Sequence, residues 1–191
     1  NSRCKNFGTC ASGATGLANA NSKALAAAIA GRDDITTAKC TGGVAQLKIL
    51  TEQMTIPLVQ GTLKYAWEAD PAMTGSACAG QSGTFDASCS KAWAEGWTFA
   101  AATLPQLNAC SAAAAKTVKD NLDASLAAPM TGGLAAVKAA IEGCYPSMGI
   151  TCPEVGEYQS SGVVFSGMAK CTDPVASSDS TSAPALALGA A

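Results

Sequence analysis

Apolar residues recur at helical rather than strand spacing along most of this chain. The longest run lies at residues 44–69, where Val44, Leu47, Met54, Leu58, Gly61 and Tyr65 follow three- and four-residue steps and Thr51 fills one gap. The next step along that seam is Glu68. Pro57 interrupts the run and is expected to kink or split the helix, because proline lacks an amide donor and crowds the preceding turn. A second pattern covers Ala87 to Thr103 and is expected to stop near Pro105. On it Trp93, Trp97 and Ala100 line one face, and Glu95 shares its side with Ala92 and Phe99. Further helices are predicted from about Lys23 to Ala30, broken by Gly31 and Asp33-Asp34, over residues 108–127, and from Leu134 to Cys144.

The remaining segments read as connections. Residues 1–17 are rich in Gly, Ser and Thr and hold two cysteines, the pattern of a stapled loop. Residues 70–86 read as a loop, and 151–171 as mixed, with Gly162 to Phe165 a short extended piece. From Thr172 onward Ser, Thr, Asp, Pro and Ala dominate, which predicts a tail outside the core. Its weakly apolar end, Ala185 to Ala191, fits either the start of a lipid-anchor signal or a segment that docks on a neighbour. One internal similarity stands out: Thr41-Gly42-Gly43-Val44-Ala45-Gln46-Leu47-Lys48 resembles Thr131-Gly132-Gly133-Leu134-Ala135-Ala136-Val137-Lys138, and the same offset aligns Glu52 with Glu142.

Composition narrows the function classes. The 191 residues include 41 Ala, which favours helix, and suffice for one domain with a real core. Only 14% of residues are charged and the net charge is −2, with no basic run to track a nucleic-acid backbone. No apolar run reaches the roughly 18 residues that span a bilayer. Nine cysteines occur without a CxxC pair and His is absent, so the Cys/His zinc patterns are excluded and disulfides in an oxidising compartment are expected. Four bridges would leave one cysteine free or bonded to a partner. The short loops Cys78–Cys89 and Cys144–Cys152 are the simplest pairings to expect. A chain that starts at Asn1 reads as a mature secreted protein after signal removal.

Without His, no Ser-His-Asp or Cys-His constellation forms, and the phosphate-cradling glycine loop is absent, so a non-enzymatic role is expected. A hard-metal site is the better candidate, since ferric iron prefers carboxylate and phenolate oxygens. Tyr65 and Glu68 are three apart and share a helix face. With Glu95, set among aromatics, they form the leading ligand set; Glu52, Asp70, Glu154 and Glu157 are in reserve. The E-x-x-E spacing of Glu154 and Glu157 converges two carboxylates only if that segment is helical, which Pro153 and Gly156 oppose. Each residue also has a structural alternative: Glu95 bonded to Lys or backbone, Tyr65 and the tryptophans in the core, and Glu154 and Glu157 solvated.

The stretches Gln60-Gly61-Thr62-Leu63-Lys64-Tyr65-Ala66-Trp67, Ala94-Glu95-Gly96-Trp97-Thr98-Phe99-Ala100 with Leu104-Pro105, and Gly149-Ile150-Thr151-Cys152-Pro153-Glu154-Val155-Gly156 resemble the algal low-iron-inducible periplasmic proteins. These are iron-assimilation proteins, also described as inducible by high carbon dioxide. The resemblance runs over residues 40–160 and implies a secreted protein of the cell-wall space that binds or concentrates iron. At the matching positions, oxygen-donor chemistry singles out Tyr65, Glu95 and Glu154.

The sequence therefore predicts an all-α fold, an irregular disulfide-braced bundle of about five helices over residues 1–171, followed by a tail at 172–191. The expected function is binding of ferric iron or a small iron complex. Two other classes stay open: a carrier of an apolar pigment or lipid, and a cell-surface assembly subunit that self-associates through the odd cysteine or the tail.

Overall fold

In the computed structural model, residues 2–11, 16–75 and 87–173 are described here. They form a disulfide-braced all-α fold. Five helices have ten or more residues: α2 (Asn19–Thr36), α3 (Cys40–Ala69), α5 (Ala87–Cys110), α6 (Ala112–Leu122) and α7 (Gly133–Glu142). Short helices fill the gaps: α1 (Ser2–Phe7), α4 (Pro71–Thr74), α8 (Tyr145–Met148) and α9 (Cys152–Val155). The extended piece expected after Gly162 is half of a small hairpin, β1 (Gln159–Ser160) and β2 (Val163–Val164). Its two turn residues, Ser161 and Gly162, both have positive φ, the primed turn that matches strand twist.

The core lies where α3, α5, α6 and α7 meet. Gly61 on α3 faces Phe99 on α5, Gly96 faces Tyr65 on α3, and Gln106 bonds Thr55, so α3 and α5 run antiparallel. A methyl at Gly61 would stand 2.5 Å from the Phe99 ring, and one at Gly96 would stand 3.1 Å from Tyr65 Cβ. Both glycines therefore set how closely the two helices approach. Trp93 and Ala100 are buried as the α5 pattern predicts, and the Trp93 indole donates to the Leu122 carbonyl at 2.9 Å, tying α5 to the end of α6.

Several boundaries differ from the sequence reading. Helix α2 runs through Gly31 and Asp33-Asp34 to Thr36. Gly31 is a contact point, with its missing Cβ 3.2 Å from Gln46 Cβ. Helix α3 is not split at Pro57, nor α5 stopped at Pro105. Buried neighbours on both sides, Ile56 and Val59 around the first and Thr103 and Leu107 around the second, hold each helix together by packing. The predicted 108–127 helix is broken at Ser111, whose extended backbone and side chain cap α6 by accepting from Ala114 N at 3.2 Å. The expected 70–86 loop opens with α4, and the expected N-terminal loop with α1.

The cysteine pairing is also corrected. Cys144 bonds Cys110 and Cys152 bonds Cys171, so the expected Cys144–Cys152 link does not form. Helix α7 returns alongside α6, which brings Cys144 back to the α5–α6 corner. Cys4–Cys10 staples the N-terminal segment. Cys89 is disulfide-bonded, and its expected partner, Cys78, lies outside the described residues, as does the tail from residue 174. Among the described residues, Cys40 is the free cysteine and it is exposed. No described helix is long and apolar enough to cross a membrane. The two similar segments both open helices, α3 and α7, and both carry the aligned ion pair, Lys48 with Glu52 and Lys138 with Glu142.

Candidate functional site

The N-terminal segment folds back across α3 and, among the described residues, builds the place where several sequence-predicted residues come together. Phe7 is buried and stacks on Tyr158 at 5.6 Å, and Glu157 N donates to the Phe7 carbonyl at 3.3 Å. This anchoring lays Arg3 over the Tyr65–Phe99 pair. Its guanidinium carbon is 4.8 Å from the Tyr65 ring centre and 4.5 Å from that of Phe99, and the two rings stack at 5.8 Å. Lys64 Nζ approaches the Tyr65 ring at 4.1 Å. Two cations on aromatic faces is a cation–π arrangement that gains strength as water is excluded. Burial lowers the Arg3 pKa, opposed by the nearby charges of Glu95 and Glu68; arginine stays protonated regardless.

Glu68 is the centre of the oxygen chemistry. The Tyr158 hydroxyl donates to Glu68 Oε1 at 2.8 Å, and Lys64 Nζ donates to Oε2 at 3.2 Å. Tyr158 is held by rings, with Trp67 edge-on at 5.7 Å and Phe165 at 4.5 Å. Burial, then the bond to Glu68 and its charge, push the Tyr158 phenol well above its ordinary pKa. Glu95 is also close enough to Arg3 for its charge to act on it, and it lies one helical turn from Lys91 at 3.9 Å.

Tyr65, Glu68 and Glu95 thus share one face, but the phenol that meets Glu68 is Tyr158, and Tyr65 contributes its ring. Lys64 and Glu68 stand at the i,i+4 spacing of a helical ion pair, a signal that the sequence carries. Tyr158 stood in the acidic segment without a role, and no local signal places Arg3 here, because its position depends on the chain returning from its far end.

The four reserve residues lie elsewhere. Asp70 is 2% exposed and both oxygens are engaged, Oδ1 accepting from Ala72 N at 2.8 Å and Oδ2 from Leu134 N at 2.7 Å. It caps α4 and ties the end of α3 to the start of α7. Glu52 pairs with Lys48 and packs on Gly149. Glu154 forms a capping box with Thr151 and pairs with Lys23 at 2.7 Å. Burial raises its pKa, but the bonds from Lys23 and Thr151 outweigh that and lower it overall. Glu157 accepts from Lys170 N at 3.4 Å. Helix α9 ends at Val155, so the E-x-x-E pair is not on one helix and its carboxylates take different partners. Thr151-x-x-Glu154 is a capping-box spacing that the sequence carried all along.

Among the described residues, no three His, Cys, Asp or Glu side chains are grouped to hold a metal ion. The Glu68 face instead mixes carboxylate, phenol and fixed cations. That donor set is too sparse to enclose a bare ion, and it sets two oxygen donors, Glu68 and the Tyr158 phenol, beside two fixed cations, Arg3 and Lys64. Comparison of the chain with family models, with curated proteins and with solved structures gives no match in any of the three.

Proposed function

We propose that this is a secreted iron-assimilation protein that takes ferric iron as a small carboxylate complex on the face formed by Glu68, Tyr158, Glu95, Arg3 and Lys64. The observation that carries the reading is the Tyr158–Glu68 contact of 2.8 Å, a phenol and a carboxylate already touching. Both are hard oxygen donors of the kind ferric iron selects. The resemblance of the Tyr65 and Glu95 segments to low-iron-inducible proteins supports the same reading. So do the disulfides, which belong to an oxidising compartment.

In this account iron is cargo. Arg3 and Lys64 attract the anionic complex and orient its carboxylates, Arg3 by its planar fork and Lys64 as a point charge. Glu68 and Tyr158 then replace two of the donors the iron arrived with. The phenol proton must leave, so uptake releases protons and weakens as pH falls. Trp67 lies against Tyr158 and reports the event. Titration with ferric citrate, followed by Trp fluorescence and by iron content after gel filtration, is expected to show saturable quenching at about one iron per chain. Glu68→Gln should weaken binding at least tenfold, the loss of about one charge-assisted contact. Arg3→Gln should weaken binding of the citrate complex. Quenching that never saturates, or that is the same in Glu68→Gln, contradicts the proposal.

A further inference from the structure

The α2–α3 hairpin carries an apolar surface that the iron reading does not use. The seam predicted along α3 is buried at Gly61 and Tyr65, but its first half is not: Val44, Leu47 and Met54 are between 60% and 68% exposed. Leu25 and Ile35 on α2 are exposed to the same degree. The cause is architectural. Among the described residues, the Val44–Leu47 face of α3 has α2 as its neighbour, while Glu52 on the other side meets Gly149, and α2 packs through its small residues Ala27 and Gly31. A groove of about 420 Å³ runs between the two helices, lined by Ala28, Ile35, Leu47 and Leu50. Helical spacing places Leu25 one turn before Ala28 and Met54 one turn after Leu50, so in this antiparallel hairpin the stripe continues past the groove at the end away from the α2–α3 turn.

We infer that this hairpin is a self-association surface, on which a second copy of the chain packs the same stripe in a two-fold, isologous contact. Three observations select that occupant. The exposed aliphatic side chains together present on the order of 500 Å² of apolar surface, which matches the apolar share of the roughly 800 Å² that each partner gives to a standard interface. The stripe has both a ridge, Leu47 to Met54, and a groove beside it, so one copy fits another without a second kind of surface. The charges are balanced: residues 19–54 carry Lys23, Arg32, Lys39 and Lys48 against Asp33, Asp34 and Glu52. That mixture neither repels a second copy nor selects a strongly acidic or basic partner, and it lacks the basic flank of a membrane-surface helix.

The test is sedimentation equilibrium of the full chain carrying Cys40→Ser, so that no covalent link through that thiol contributes. A reversible dimer is expected at about 10 μM. Leu47→Glu and Ile35→Glu should each weaken the association at least a hundredfold, since both copies lose the contact. Their circular dichroism should match the parent, because both positions face solvent. Leu47→Gln should weaken it less. Val163→Glu, at an exposed site on the small hairpin, should leave the dimer intact. A chain ending at Asp173 should also dimerise. A monomer at about 100 μM overturns the inference. So does a dimer that survives both glutamate variants, or one that is lost only when the tail is removed.

Discussion

Replacing Gly61 with Ala sets two effects of opposite sign against each other. Gly61 lies inside α3, and Ala there gains about 1 kcal/mol of helix propensity. The new methyl, however, would stand 2.5 Å from Phe99 Cγ and Cδ1 and 2.8 Å from Cδ2. Carbon atoms need about 3.5–4.0 Å, so the gap is short by about 1 Å along the whole ring edge. A single rotamer change cannot absorb that, because Phe99 stacks on Tyr65 and lies under Arg3. Either α5 withdraws or the ring leaves. Overpacking of this kind costs about 1–3 kcal/mol and loss of the stacked pair adds about 0.5–1.5 kcal/mol, from which the propensity gain of about 1 kcal/mol is subtracted. The net expectation is destabilisation by about 1–3 kcal/mol, with a change in the near-ultraviolet circular dichroism of the Tyr65–Phe99 environment. Urea unfolding at neutral pH measures it, with the slope checked for two-state behaviour. Stabilisation by about 1 kcal/mol would mean that propensity wins, and would refute the close α3–α5 crossing on which the site is built.

Three further outcomes follow from the same structure. Asp70→Ala should cost about 2–4 kcal/mol in thermal or urea unfolding, because it removes a cap and leaves Leu134 N without its partner in a buried site; Asp70→Asn should cost less. Removing the Cys110–Cys144 bridge as a double Ala variant should cost about 4 kcal/mol by loop-closure entropy, against about 3 kcal/mol for Cys152–Cys171, whose loop is shorter. Tyr158 and Tyr145 both have phenol pKa values raised by burial, with Glu68 and Glu142 adding to it. Their stabilising contribution is therefore complete below the unfolded tyrosine pKa of about 10 and is lost as pH rises toward the folded values. Melting temperature should fall above about pH 10, and less steeply in Tyr158→Phe.

Periodicity made the helical fold legible, because alanine and the buried stripe of α5 agree on it. The Trp93, Trp97 and Ala100 face needed nothing beyond helical spacing. Helix ends were read less well, for a specific reason. Gly31, Pro57 and Pro105 are local breakers that tertiary packing overrides, and Ser111 is a cap inside what looks like one long alanine-rich helix. The acids were read as donors, yet Asp70 and Glu154 hold helix ends together. The Thr151–Glu154 spacing signalled its cap, whereas Asp70 reaches Leu134, 64 residues away, and left no local trace. The sequence singles out Glu95 by its aromatic neighbours and Glu68 by its three-residue spacing from Tyr65. Arg3 left no such signal, since it reaches them only through the folded N-terminal segment.

In the proposed function the Tyr158 phenol and the Glu68 carboxylate receive ferric iron together. The most direct measurement is the visible absorption of the ferric-loaded chain beside its Tyr158→Phe and Tyr65→Phe variants. A phenolate-to-iron band is expected in the parent, with its loss in Tyr158→Phe and its retention in Tyr65→Phe. A band that disappears with Tyr65 and persists without Tyr158 would contradict it, and the absence of any band at saturating ferric citrate would remove phenolate coordination altogether.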